Sequence, residues 1–136
     1  VPATEYLTTP ELDELLTGDL LDRATESQKQ RALERASDAA DSYLRAAGYQ
    51  LPVANPGSDL RARVADMSRY HLAVVLRLLP EPANSSALWI DYKSATDWFQ
   101  RVANGEIALD LPLVSGATSA GRASISTTVA RRWGRA

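Results

Sequence analysis

At 136 residues the chain has the length of a single domain, and its 45% apolar content is enough to fill a core without cross-links. It contains no cysteine, which excludes disulfides and thiolate metal ligands. The net charge of −2 hides a division: all 17 acidic residues lie within residues 1–110 beside 11 of the 15 basic ones, so this body carries −6, while residues 111–136 hold Arg122, Arg131, Arg132 and Arg135 and no acid. No basic start leads into an apolar run, and no window approaches the roughly 18 apolar residues that span a bilayer. The expectation is a soluble protein without a membrane partner that assembles in a cytoplasm.

Four helices are predicted, followed by a non-helical arm. The first is short. Thr9 is its expected N-cap and Pro10 its first helical residue, where a missing N–H costs nothing. Leu12, Leu15 and Leu16 supply an apolar stripe, and Gly18 reads as the stop. The second helix is predicted from Glu26 to Ala47, with Thr25 and Gln28 spaced as a capping box. Leu33, Ala36, Ala40, Tyr43, Leu44 and Ala47 recur at helical spacing, and the alanines allow close approach of a neighbouring helix. Gly48 ends it. Residues 49–57 read as an ordered loop, because Pro52 and Pro56 cannot continue a helix.

The third helix is the most apolar and is expected to be central. Ser58 is its predicted cap; Leu60, Val64, Met67, His71, Val74 and Leu78 form one stripe, which Leu72, Val75, Leu76 and Leu79 widen late on. Pro80 and Pro82 terminate it. The fourth helix is predicted from about Ser85, with Leu88, Tyr92, Ala95, Phe99 and Val102 on one face, Trp89 and Trp98 flanking it, and Asn104-Gly105 as its end. Beyond it, Ile107, Leu109, Leu111 and Leu113 alternate at strand spacing, a pattern able to add to another chain's sheet edge. The fold class is thus all-α, a small bundle of about four helices over residues 1–110 with an extended basic arm over 111–136.

The residues assemble no recognisable catalytic constellation. His71 is the only histidine and sits on an apolar helical stripe, as a packed residue would. No glycine-rich loop follows a strand and no nucleophile elbow exists. The pairs Asp38/Asp41 and Glu11/Glu14 read as solvated helix faces rather than cation ligands, and Arg31/Glu34 and Arg35/Asp38 as surface pairs. Asp66 and Arg69, three apart on an apolar helix, are expected to form a partly buried pair. No cofactor is implied, and no enzymatic activity is expected. The arm is the segment whose composition suggests contact: Arg122, Arg131, Arg132, Trp133 and Arg135 suit protein docking, phosphate contact with Trp133 stacking, or a merely solvated tail.

Three runs carry a resemblance to a known family. Residues 37–53, SDAADSYLRAAGYQLPV, end a helix in Tyr43-Leu44 and continue into Tyr49-x-Leu51-Pro52. Residues 60–72, LRARVADMSRYHL, set Asp66 and Arg69-Tyr70 within an apolar helix. Residues 92–109, YKSATDWFQRVANGEIAL, carry Trp98 and end a helix in Ala103-x-Gly105 before Ile107-x-Leu109. With Tyr6 and the short leucine helix, their order and spacing over residues 5–112 resemble the Mu-like phage and prophage proteins known as head–tail connectors or adaptors.

The resemblance implies a helical ring subunit, twelve-fold by likeness to the family, beneath a portal protein. It further implies a tail-side neck or tail terminator protein as second partner, and DNA crossing the lumen. The place implied is the head–tail junction of a virion, after assembly in the host cytoplasm. Tyr43, Tyr49, Pro52, Asp66, Arg69, Tyr70, Trp98 and Gly105 have structural roles in this reading, and the family has no catalytic residues to carry over. The arginine-rich arm lies outside the resembling region. A separate expectation, from the residues alone, is a small helical nucleic-acid-binding regulator using Arg61, Arg63, Arg69 and Arg77 of the third helix; a small enzyme subunit is disfavoured by the missing polar constellation.

Overall fold

The computed structural model describes residues 6–79 and 86–114, and every element in it is helical: α1 (Thr9–Asp13), α2 (Gly18–Arg23), α3 (Glu26–Ala47), α4 (Ser58–Leu76) and α5 (Ala87–Ala103). The class is the expected small all-α bundle, with five helices in place of four. The additional element is α2. Gly18, expected to stop the first helix, has φ +55° and opens a new one, whose single buried residue is Leu20.

Helix starts follow cap chemistry. The Thr8 hydroxyl accepts from the Glu11 N–H while the Glu11 carboxylate takes the Thr8 N–H, so the cap of α1 is Thr8 in place of the expected Thr9 and closes a capping box. Thr25 and Gln28 form the predicted box on α3. For α4 the cap is Gly57 rather than Ser58, with no side-chain bond, and for α5 it is Ser86, whose hydroxyl accepts from Trp89 N–H.

The ends of the three long helices share one geometry. After α3, Gly48 takes φ +92° and Tyr49 N–H reaches back to the Leu44 carbonyl. After α5, Gly105 takes φ +82° and Glu106 N–H reaches Arg101. Left-handed backbone at this position satisfies terminal carbonyls and is easiest for glycine. Arg77 adopts the same conformation after α4 (φ +56°), with Leu78 N–H on the Ala73 carbonyl, so α4 ends before the prolines are reached.

α3, α4 and α5 pack on one another, α1 lies on α3 and α2 on α4. The core contains Leu33, Ala36, Ala40, Leu44 and Ala47 of α3, Leu60, Val64, Met67 and Leu72 of α4, and Ala95, Phe99 and Val102 of α5. The alanines let the helices approach closely, as the spacing implied. Leu12, Leu16 and Leu20 close one side. Leu15, expected on that stripe, is 46% exposed, and Val74 and Val75 near the end of α4 also face outward; α4 is central over its first four turns only.

Residues 106–114 form a strap back across the bundle. Leu113 bridges Tyr49 in antiparallel sense, Gln50 N–H donates to the Pro112 carbonyl at 2.9 Å, and Val114 N–H to the Gly48 carbonyl at 2.8 Å. The alternating segment therefore finds its backbone partner within its own chain, and Ile107, Leu109, Leu111 and Leu113 are half-buried against the core. No helix among the described residues is long and apolar enough to cross a membrane.

Candidate interaction surface

Three polar ties hold the start of the chain and α1 to the long helices. Tyr6 and Asp41 are buried, and the phenol donates to the Asp41 carboxylate at 2.6 Å. Asp41 therefore does not belong to the solvated pair with Asp38 expected from spacing, because the residue that satisfies it comes from the segment before α1. Arg61 of α4 donates through Nε to the Tyr6 carbonyl at 3.0 Å and pairs through Nη2 with Glu11. The cap bonds from Thr8, aided by Arg61, hold the Glu11 carboxyl below its usual range. Lys29, largely buried on α3, meets Asp13 at 2.7 Å. The expected pairs Arg31/Glu34 and Arg35/Asp38 are not among the ion pairs of the described residues.

On the other side of α4, aromatic rings join it to α5. Tyr70 stacks on Tyr92 with centroids 4.2 Å apart, and Trp89 and His71 stand edge-on or tilted around that pair. His71 is half-buried; desolvation, and then the positive charge of Arg35, lower its pKa to about 4, so at neutral pH the ring is uncharged. Arg69 pairs with Asp66 and lies 3.6 Å from Asp91 of α5. Burial nonetheless pushes the Asp66 carboxyl up, outweighing Arg69, and Arg69 Nε has no acceptor among the described residues.

Next to this cluster runs an open groove of about 380 Å³ lined by Arg63 of α4 and by Ile90, Lys93, Ser94, Asp97, Trp98 and Arg101 of α5. The Arg63 guanidinium lies over the Trp98 ring, 5.6 Å from its centroid, and donates to Ser94 Oγ at 3.1 Å. Lys93 and Asp97 pair at 2.9 Å, and among the described residues no carboxylate lies within 4 Å of the Arg63 or Arg101 guanidinium. Ile90 is 57% exposed. Except for Trp98 and Arg63, these residues carry no expectation from the sequence, although α5 carries a signal. Ile90, Ser94 and Trp98 recur every four residues, and Lys93, Asp97 and Arg101 do the same one row over.

The other residues singled out serve the scaffold. Tyr43 stacks on Phe99 at 5.5 Å, and Trp98 stands edge-on to Phe99 at 5.0 Å. Tyr49 is buried and its Oη accepts from Leu109 N–H at 2.7 Å. Pro52, after a cis bond from Leu51, is exposed in the loop before α4, and Gly105 closes α5. Arg122, Arg131, Arg132, Trp133 and Arg135 lie outside the described residues. No group of three or more metal-ligating side chains assembles among the described residues.

These features define a small all-helical bundle with a few buried polar ties and a mixed charged and aromatic surface on α4 and α5. The chain belongs to the family described as Bacteriophage Mu, Gp36, whose family model matches residues 4–127. The match continues past residue 112, where the sequence resemblance ended, through Arg122, and stops short of Arg131. No curated protein and no solved structure matches the chain.

Proposed function

We propose that this Mu-like phage protein is a structural subunit of the virion, a head–tail connector that forms a ring beneath the portal, joins the DNA-filled head to the tail-side neck, and leaves a lumen for DNA. It acts by assembly and not by catalysis. The observation that carries this reading is membership of the Gp36 family along nearly the whole chain. The bundle suits the role: the exposed carboxylates of α1 and α2 and the cationic, Trp98-lined groove of α4 and α5 are carried by different elements, as a subunit with different neighbours on each side requires.

The regulator reading finds less support. A recognition helix needs free cations on an exposed face, whereas Arg61 and Arg69 of α4 are engaged by Glu11, Asp66 and Asp91, and Leu60, Val64, Met67 and Leu72 of the same helix are buried.

The test is electron microscopy of lysates from a phage lacking this protein. Separate tails beside packaged or leaking heads are the expected outcome; intact joined particles would rule the connector role out. Removing residues 115–136 should leave the bundle folded, since its core lies upstream, and weaken docking to the portal or to neighbouring copies.

A further inference from the structure

We infer that the α4–α5 groove receives the acidic α1–α2 segment of a second copy of this chain, a contact that rests on the ring reading above and names the two faces that meet. Residues 6–26 contain six acidic residues and one basic residue, Arg23. Glu11 and Asp13 are held by Arg61 and Lys29. Glu14, Asp19 and Asp22 are exposed, and none lies within 4 Å of a cation among the described residues. Between them, Leu15 is 46% and Leu21 40% exposed, so the segment offers leucines framed by carboxylates.

The groove is its counterpart. Arg63 and Arg101 supply positive charge, and Ile90 and Trp98 supply apolar and aromatic surface. Matching charge at the rim with apolar anchors at the centre is the usual composition of a specific interface, and Arg and Trp are the residues that most often dominate one.

The groove faces away from α1 of its own chain. Arg61 points to Tyr6 and Glu11, at the base of α1. Arg63, two residues on and therefore about 200° around the helix, points to Ser94 and Trp98 of α5. The two faces flank α4 on nearly opposite sides, so a partner segment must come from another copy, and the contact is head-to-tail. The arm containing Arg122, Arg131, Arg132 and Arg135 shares the groove's sign, so charge complementarity selects the acidic segment over it.

The experiment is sedimentation velocity on the full chain over a range of concentrations, with Asp22→Arg and Arg101→Glu as single variants. Both positions are exposed, and circular dichroism checks that each variant is folded. Wild type should associate, less so in high salt. Each variant alone should associate roughly tenfold more weakly, because an attraction becomes a repulsion. An equimolar mixture of the two should recover association, since each altered groove can then face the other variant's altered segment.

Variants that associate as wild type does would overturn the groove contact and leave the ring reading standing. Loss of association that mixing does not repair would also overturn the contact. A wild type that stays monomeric at every concentration removes both. Retention of a labelled DNA duplex by wild type that Arg101→Glu abolishes would reassign the groove to phosphate.

Discussion

Tyr6 and Asp41, 35 residues apart, share a 2.6 Å hydrogen bond at buried positions, the phenol donating to the carboxylate. The bond attaches the segment before α1 to the C-terminal half of α3. Because the Tyr6 carbonyl also accepts from Arg61, one residue joins the start of the chain to both long helices. A carboxylate this far from water needs such a donor.

Replacing Tyr6 by Phe keeps the ring's packing and removes this donor. Hydrogen bonds to charged groups contribute more than neutral ones, and the expected loss is about 2 kcal/mol of unfolding free energy, read from urea denaturation at neutral pH. A loss below about 0.5 kcal/mol, the range of ordinary surface substitutions, would show that Asp41 is satisfied by another donor.

His71 should make the fold sensitive to acid. Its folded pKa, about 4, lies below the ordinary 6.5 because burial, and secondarily Arg35, penalise the charged ring. As pH falls through 6.5 the unfolded chain takes up the proton first. The stability from the neutral ring is therefore fully present above that value and is lost progressively towards pH 4. His71 is half-buried, so after allowance for solvent screening the loss is about 1–2 kcal/mol. Comparing the pH dependence of wild type with that of His71→Gln isolates the effect from the carboxylates; parallel profiles would exclude it.

The strap should loosen locally when Tyr49 is replaced by Phe. Leu109 N–H then loses its acceptor, and at about 1 kcal/mol for a neutral hydrogen bond its exchange with deuterium should speed up roughly fivefold. Amides within α3 and α4 should change little. Unchanged protection at Leu109 would mean that the strap's leucines hold it without the phenol.

Where structure depends on near neighbours, it was readable in the chain. The bounds of α3 follow from Thr25, Gln28 and Gly48, all within a few residues of the ends they set. The start of α4 was misread by one residue because Gly57 supplies an extended cap conformation without a side-chain bond. α2 was missed because Gly18 is as compatible with opening a helix as with ending one, and a six-residue helix burying one leucine has no detectable period. Asp41 was assigned to solvent because its donor lies 35 residues away. The α5 wall of the groove is legible in its four-residue spacing, but its closure by α4 is not, for the same reason: Arg63 and Trp98 are neighbours only through the packing of α4 on α5, and no spacing within either helix encodes that register.

The opposed directions of Arg61 and Arg63 bear on the shape of any array built from this chain. Copies whose two contact faces were diametrically opposed would line up in a straight row without end. A departure from opposition turns each copy relative to the last, and the row bends until it meets itself. Because both faces are borne by α4 and the helices packed against it, that turn is set by the rigid packing of a single subunit. Under the proposed contact, the bore of the channel would thus be determined by how α2 and α5 are seated on α4.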